Sequence, residues 1–515
     1  MIKKSEKAGL IIIIVVLGFV FHYKYLNEFP SHIHAWAQSD RYALALGFLD
    51  NGLNFFKPQT FIFNHQFPHH WELPSDKTIT AVDFPIHDYI PALLMKLSGT
   101  ISPWVFRSYI LLYSFLGLFF LFKLAYSITN DYLKSVFVVV FAASSPIYVY
   151  YQGGFLPTIP SLSNTMIGIY FYYRHLKENK KIDFWLSVFW LTLAALARTT
   201  FAIPIVAVMV NEFFRWLKKE TGFASKVIPV SISILALLSY FLYNGYLREK
   251  YGSIFLNYIM PPDDFQHLKE IFKSVYDLWI FQYFSIPHYL VLLVVFLLAV
   301  YFIAKRKSAF SKEKIYFGSL LLVYIFGCAV FTFLMLRQFP DHDYYFLDTF
   351  YLPIVAFFIL FLSQIPMVKT RKSKIIAIPI VSLTSLLLML QPIKYQETRR
   401  ETGSQNKTIA TIKNFKNASE FLDSLEISHN SKILVIDVVA PNIPFILMQR
   451  KGFGIMNVSR KNIEETLKWD FDFIVIQNGY LISEVYVEYP EILSKLNKIG
   501  DNGKISVFTL STDDE

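Results

Sequence analysis

Charged residues are scarce in this sequence. Of its 515 residues only 17% are Asp, Glu, Lys or Arg, whereas 54% are hydrophobic. A soluble domain usually carries about 25% charged residues, and at most about half of its residues are apolar. The surplus of apolar side chains excludes an ordinary water-soluble protein, because it must face something other than water. The composition therefore predicts a polytopic α-helical membrane protein.

Cysteine and internal repetition are also lacking. The single cysteine, Cys328, lies inside an apolar run, which excludes an intrachain disulfide framework. No internal repeat of the kind that marks many secondary transporters is visible. The amino-terminal run from Leu10 to Leu26 lacks the small-residue cleavage site of a signal peptide. We therefore expect a retained first helix.

Long apolar runs are present and predict about eleven transmembrane helices, each needing roughly 20 residues. The predicted spans are Leu10–Leu26, Pro103–Ile128, Ser135–Tyr150, Thr158–Tyr173, Phe184–Arg198, Thr200–Leu217, Val227–Tyr246, Tyr289–Ala304, Ile315–Leu336, Phe346–Gln364 and Ile375–Leu390. Short clusters of Lys and Arg precede the first span and follow the fourth, sixth, eighth and tenth. Alternating spans place every cluster on one side, and positive residues favour the cytoplasm. The amino terminus is therefore predicted inside and the carboxy-terminal region outside.

These clusters of Lys and Arg account for the net charge of +10 as a membrane-topology signal. Nucleic acid is therefore not expected as a partner. Residues 1–390 are predicted to form the transmembrane domain, whose first outside loop spans 27–102. Residues 391–515 change composition and are predicted to form a small extracytoplasmic α/β domain. Its predicted strands are Lys432–Asp437, Phe471–Gln477 and Lys504–Leu510, and its predicted helices are Ile409–Leu425 and Asn462–Trp469.

Two acidic residues of the first outside loop are candidate catalytic groups. Asp40 follows the first span closely, where a carboxylate is suited to act as general base on a hydroxyl acceptor and to have a perturbed pKa. Alternatively, Ser39 or Asp40 caps a helix Arg41–Leu49. Asp83 precedes Phe84-Pro85 and could position an acceptor or a metal, or could also be a helix cap.

Three arginines lie at the predicted outer ends of spans: Arg107, Arg198 and Arg337. Charge at membrane depth is costly and usually has a partner, and guanidinium binds phosphate bidentately. A lipid-carrier phosphate is thus a candidate ligand, with ordinary phospholipid headgroups as the alternative.

Histidines and carboxylates raise the question of a metal. Asp341-His342-Asp343 has a spacing used by metal- and nucleotide-binding carboxylates, although the triplet alone is weak evidence. The histidines of the first outside loop are His32, His34, His65, His69, His70 and His87. Imidazole is a common ligand, but this spacing matches no familiar site. No cofactor is therefore required by the motifs, and a divalent metal is the single candidate.

Several motifs together resemble the membrane glycosyltransferases of the GT-C fold. They are the His-x-Trp-x-Gln-x-Asp stretch ending at Asp40, the Asp-Phe-Pro element at Asp83, Arg107, Arg198 in an Ala-Arg-Thr turn, and His342-Asp-Tyr344-Tyr345. Their order over most of the first 365 residues is similar to that of the bacterial branch related to dolichyl-phosphate-mannose-protein mannosyltransferases and the lipid A aminoarabinose transferase. The sequence departs from the family at Ala37, because a basic residue is expected at that position. Arg41 could take the role of that basic residue.

The resemblance implies that Asp40 is the catalytic base and that the sugar donor is a polyprenyl phosphate. It places Arg107 and Arg198 near the donor phosphate and the loop of His342, Tyr344 and Tyr345 near the donor cavity. His34, Arg41 and Arg337 complete the predicted substrate-binding set. The reaction is expected to be an inverting displacement at the outer face of a bacterial inner membrane, among membrane lipids. The acceptor is a lipid, a glycan or a protein.

Three alternatives stay open at this stage. A transporter or flippase of lipid-linked saccharides explains the arginines but not the His- and Asp-bearing loop. An O-antigen-type polymerase or ligase is chemically closer to a glycosyltransferase, and the sequence distinguishes the two only weakly. A non-enzymatic scaffold acting through its tail predicts that Asp40→Asn has no effect.

Overall fold

The structure is a computed structural model that describes residues 4–65, 73–222, 224–256, 258–306, 310–366, 371–401 and 407–511. The chain divides into two compact units. The first unit comprises Met1–Asn27, Arg107–Phe241 and Tyr258–Glu397, and the second comprises Glu28–Phe106, Leu242–Asn257 and Thr398–Glu515.

The first unit is helical throughout its described residues. The helices with all or most of their residues in it are Lys4–His22, Pro103–Thr129, Tyr132–Ala143, Pro146–Gln152, Thr158–Glu178, Lys181–Ala197, Ala202–Leu217, Ala224–Tyr251, Phe265–Tyr283, Ile286–Arg306, Lys312–Leu334, Tyr345–Asp348, Tyr351–Leu362 and Arg371–Glu401. Of two short 3₁₀ helices, Thr199–Phe201 follows Arg198 directly and Leu336–Gln338 contains Arg337.

Seven helices of the described chain are long and apolar enough to cross a membrane. Tyr132–Ala143 and Pro146–Gln152, which meet at a bend of 73°, add an eighth span if they count as one. These helices support the prediction of a polytopic integral membrane protein, but the predicted count of about eleven is not confirmed. The remaining predicted segments lie in helices that are shorter or more polar. Tyr351–Leu362 has only 12 residues, and Thr158–Glu178 buries polar side chains such as Asn164.

The second unit combines Glu28–Phe106, most of which was predicted as the first outside loop, and Leu242–Asn257 with the carboxy-terminal residues. Its helices are Ala35–Asp50, Ile86–Ser98, Lys407–Asn414, Ala418–Ser424, Asn442–Met448, Arg460–Thr466, Asn478–Tyr480 and Tyr486–Glu488. A two-stranded antiparallel pair joins Asn64–His65 to Leu73–Pro74. The predicted boundary at residue 391 stays a prediction.

A five-stranded sheet, called here the C-terminal sheet, lies in the second unit. In spatial order its strands are Gly452–Ile455, Ile433–Ile436, Phe473–Gln477, Ile505–Leu510 and Leu496–Asp501. The first three are parallel and the last two are antiparallel to their neighbours. Three of the strands fall within the predicted segments. Gly452–Ile455 and Leu496–Asp501 were not predicted, because glycines and charges interrupt their apolar pattern.

Residues 61–63, in the predicted first outside loop, take part in this sheet. Phe63 donates its amide to the carbonyl of Gly452 (2.9 Å), and Gly452 donates to the carbonyl of Phe61 (3.0 Å). The Phe63 side chain also packs in the core of the sheet beside Phe453. A Cβ at Gly452 would lie 1.8 Å from the Ile433 carbonyl oxygen, so only glycine allows this close approach.

Candidate active site

Asp40 lies inside a helix rather than at its start. The Ala35–Asp50 helix contains several alanines, the residue with the highest helix propensity, and it begins after His34. The interpretation of Ser39 or Asp40 as the helix cap is therefore wrong. His34 adopts a left-handed backbone with φ 56°, which is uncommon for a residue other than glycine.

The Asp40 carboxylate is buried, with 3% of the residue exposed. It accepts a hydrogen bond of 2.8 Å from the side-chain amide of Asn442. Burial raises the pKa of Asp40 to about 7, and the Asn442 hydrogen bond and the positive charge of Arg41 offset part of that effect. A carboxylate with such a pKa is well matched to proton abstraction near neutral pH.

Arg41 is paired with a second buried carboxylate. Its Nη1 lies 3.1 Å from Oδ2 of Asp88, and its guanidinium lies 4.6 Å from the ring centroid of Phe255. Burial raises the pKa of Asp88 to about 6, although Arg41 opposes the rise. Burial, and then the charge of Arg41, lowers the pKa of His87 to about 3, so this imidazole is neutral at physiological pH.

Asp83 lies at the edge of this group. It is half-buried, and the Ile86–Ser98 helix begins after Pro85, which provides no side-chain cap. The charge of Asp83 contributes to the raised pKa of Asp88. The second unit thus contains Asp40, Arg41, Asp83 and His34 from the predicted set.

Arg198 of the first unit is enclosed by groups of the predicted aromatic loop. Its Nε lies 2.5 Å from Oδ2 of Asp348, which is fully buried. Its guanidinium lies 5.0 Å from the ring of Tyr344 and 5.6 Å from that of Tyr345. The Lys181–Ala197 helix ends at Arg198, whose extended backbone turns the chain. The fold therefore brings Arg198, Tyr344 and Tyr345 together.

The Asp341-His342-Asp343 triplet has divided environments. Asp341 is exposed, whereas Asp343 is fully buried and accepts a hydrogen bond of 2.5 Å from the Tyr151 hydroxyl. The His342 ring stacks on Tyr345 at 5.4 Å, and its Nδ1 lies 3.0 Å from the Gln338 carbonyl oxygen.

A metal centre is not assembled among the described residues. Within residues 4–65, 73–222, 224–256, 258–306, 310–366, 371–401 and 407–511, no three side chains of His, Cys, Asp or Glu are grouped so as to hold a metal ion. His69 and His70 lie outside the described residues.

The other two arginines have different surroundings. Arg107 is buried, donates a hydrogen bond of 2.5 Å to the carbonyl of Gly153, and lies 4.6 Å from the ring of Phe155. Arg337 is 40% exposed and pairs with Asp263 at 2.9 Å. An exposed ion pair such as Arg337–Asp263 contributes little to stability. A buried guanidinium such as that of Arg107 is a strong site for an anion.

Sequence reasoning missed three residues of these groups: Asn442, Asp88 and Asp348. Asp88 carried a weak signal, since it is a charged residue in the first turn of an otherwise apolar helix face. Asp348 also stood out as a carboxylate inside an apolar run. Asn442 carried none, because a single Asn in a loop is ordinary turn chemistry.

The comparisons with known proteins concern the family and the fold. Residues 81–243 match the family model described as dolichyl-phosphate-mannose-protein mannosyltransferase. Among curated proteins, none matches the chain in sequence.

Solved structures share the fold at low identity. The apo oligosaccharyltransferase of Archaeoglobus fulgidus is 11% identical with a TM-score of 0.57, over 99% of this chain and 75% of that one. The same archaeal enzyme, AglB, in complex with an inhibitory peptide and a dolichol-phosphate has a TM-score of 0.54 at 11% identity, over 99% and 74%. Arabinofuranosyltransferase AftD from Mycobacteria has a TM-score of 0.57 at 12% identity, over 100% of this chain and 40% of that one.

At these identities the structures speak for the fold alone, and the family model supplies the relationship in sequence. The resemblance predicted from the motifs is confirmed. Residues 81–243 are therefore similar to the protein mannosyltransferases, and the chain as a whole shares the GT-C fold of these solved glycosyltransferases.

Proposed function

We propose that the protein transfers a glycosyl group from a polyprenyl-phosphate donor to a hydroxyl of a lipid, glycan or protein acceptor, with Asp40 as general base. The observation that carries the proposal is the burial of Asp40, which brings its pKa to about 7. General-base catalysis is most effective when the pKa of the base lies near the working pH. An ordinary exposed aspartate would be too weak a base.

In the proposed step, the acceptor oxygen attacks the anomeric carbon while Asp40 takes the acceptor proton. The bond from that carbon to the phosphate oxygen breaks, and the lipid phosphate leaves with the electron pair. A single displacement of this kind inverts the anomeric configuration. No nucleotide is required, and Asp83 is the second acidic group that positions the acceptor or a divalent metal.

The phosphate is assigned to the arginines Arg107 and Arg198. Both are permanent cations, Arg107 being buried and Arg198 having 13% of its side chain exposed, and preorganised cations stabilise the charge that develops on a leaving phosphate. The Tyr344 and Tyr345 rings around Arg198 suit the sugar or the first prenyl unit of the donor. His34, Arg41, His342 and Arg337 complete the proposed binding residues.

The archaeal oligosaccharyltransferase with the same fold has been solved with a dolichol-phosphate, which supports a donor of this chemical class here. We place the reaction on the outer face of a bacterial inner membrane. The amino terminus is then cytoplasmic, and the C-terminal sheet extracytoplasmic.

Transfer of label tests the proposal. Membranes with wild-type protein or Asp40→Asn at equal abundance are supplied with a polyprenyl-phosphate pool carrying labelled sugar. We expect the variant to lose transfer at least about a hundredfold, the lower range for a general base. The matched control is Asp50→Asn, at the end of the same helix, where the carboxylate pairs with Lys451 at the surface.

Full transfer by Asp40→Asn would refute the base assignment. A flippase would move label across the membrane in both variants and leave it attached to the polyprenyl phosphate.

A further inference from the structure

Asn442 belongs to a loop that is well placed for function. It follows the Ile433–Ile436 strand of the C-terminal sheet and begins the Asn442–Met448 helix. Loops at the carboxyl ends of parallel strands are the usual location of binding groups in α/β sheets. Here the loop meets the start of the Asp40 helix, where Ala35, Ala440 and Ile443 form one buried cluster.

Two hydrogen bonds determine how the Asn442 amide is oriented. Its Oδ1 accepts the backbone amide of Phe61 at 3.1 Å, and its Nδ2 donates to Oδ1 of Asp40 at 2.8 Å. A backbone N–H can only donate, so the oxygen of the side chain must face Phe61 and the NH₂ group must face Asp40. Asn442 is fully buried, so bulk solvent does not reach either contact.

The loop itself is held at its base. Asp437, the first residue after the strand, has φ 70°, a left-handed conformation that a non-glycine residue adopts at a cost. Lys407 Nζ lies 2.5 Å from Asp437 Oδ1, and Gln477 donates to the Asp437 carbonyl at 3.3 Å. These contacts maintain the turn that directs the loop toward Asp40.

We infer that Asn442 is a positioning residue for Asp40: its amide orients the carboxylate of the base, so that the C-terminal sheet completes the catalytic group. This inference rests on the proposed role of Asp40 as the base. The effect of Asn442 on the titration of Asp40 can be measured without that assumption.

The pH dependence has a definite sign. A neutral donor to the charged carboxylate favours the deprotonated form, so its loss must raise the pKa of Asp40 above about 7. The charged groups nearby are Arg41 on the same helix and, from the facing helix and its lead-in, Asp88 and Asp83; His87 there is neutral. The Trp36 side chain is a further donor to Asp40 that an Asn442 variant retains, and its contribution does not change the sign of the expected shift.

Dicyclohexylcarbodiimide gives a readout that does not require activity. This apolar reagent modifies protonated carboxyl groups in apolar surroundings, and mass spectrometry locates the adduct on Asp40. We expect modification of the full-length wild-type protein in detergent to fall with a midpoint near pH 7. In Asn442→Ala the midpoint should rise by about one pH unit, the value of a hydrogen bond to a charged group.

A second variant and a control make the result specific. Asn442→Asp keeps the size of the side chain but sets a second carboxyl against Asp40, so its midpoint should rise further. Asn64→Ala is the matched control. Asn64 is also a buried asparagine of the second unit and bonds Gly454 through both side-chain atoms, without touching Asp40. Its removal should leave the midpoint unchanged.

Equal midpoints for both Asn442 variants and wild type would overturn the inference, as would an equal shift in Asn64→Ala. The acidic limb of label transfer should move with the carbodiimide midpoint. If Asp40→Asn keeps full transfer while the midpoints still shift, the proposed function fails and the positioning contact stands. If Asp40→Asn loses transfer while the midpoints do not shift, the proposed function stands and the positioning inference fails.

Discussion

Each compact unit pairs an arginine with a buried carboxylate, and the two pairs have different surroundings. In the second unit Arg41 pairs with Asp88, and the neighbouring Asp40 is bonded by a neutral amide. In the first unit Arg198 pairs with Asp348 between two tyrosine rings. In the second unit, Asp40 is able to titrate near neutral pH. In the first unit, Arg198 is a permanent cation beside aromatic rings. On our proposal, an Arg–Asp pair lies beside the base Asp40 in the second unit, and a pair of the same kind presents the anion-binding Arg198 in the first.

The largest effect is expected from breaking the pair in the second unit. Asp88→Ala leaves the buried guanidinium of Arg41 without its counter-charge, and loss of one partner of a buried pair costs about 3–5 kcal/mol. The free energy of unfolding of the purified protein, followed by tryptophan fluorescence in denaturant, measures the change. Replacing both partners together, Arg41→Leu with Asp88→Leu, should restore most of it. A loss below about 1 kcal/mol in Asp88→Ala would show that the pair is not buried as described.

A somewhat smaller effect is expected from the first unit. Arg198→Ala should reduce label transfer about 10²–10³-fold, the range for removing one preorganised donor from developing charge. The carbodiimide midpoint of Asp40 should stay near pH 7, because Arg198 is not among the groups that shift the pKa of Asp40. A shifted Asp40 midpoint in Arg198→Ala would show that Arg198, like Arg41, acts on the pKa of Asp40.

The smallest effect is expected from Arg337. Its pair with Asp263 is exposed to solvent, and surface pairs contribute about 0–1 kcal/mol. Arg337→Ala should therefore lower transfer less than tenfold, mainly through KM for the donor. A loss as large as that of Arg198→Ala would give Arg337 an equal share in phosphate binding.

Much of this organisation was predictable locally. Apolar runs predict membrane helices because a bilayer-spanning segment must present apolar side chains to lipid and satisfy its own backbone, and the first of these conditions is visible in composition alone. The strand at Ile433–Ile436 was predicted for a similar reason, since four consecutive apolar residues are buried on both faces. Asp40 stood out because its motif is short and continuous in the chain.

The number of spans was less predictable. Thr158–Glu178 is a helix whose buried polar side chains depend on neighbouring helices, and Tyr132–Ala143 bends sharply into Pro146–Gln152. Hydropathy summed along a window cannot register a bend or a partner. The helix start at Ala35 was missed because His34 offers no side-chain cap for a sequence pattern to detect.

The sequence by itself therefore determined the membrane class, the GT-C resemblance and the identity of the candidate base. Only the tertiary structure decided the environment of that base. Asn442 lies 402 positions from Asp40 along the chain, and Asp348 lies 150 positions from Arg198. A pKa depends on burial and on the groups within a few ångströms, and folding brings those groups together from segments that no local pattern connects.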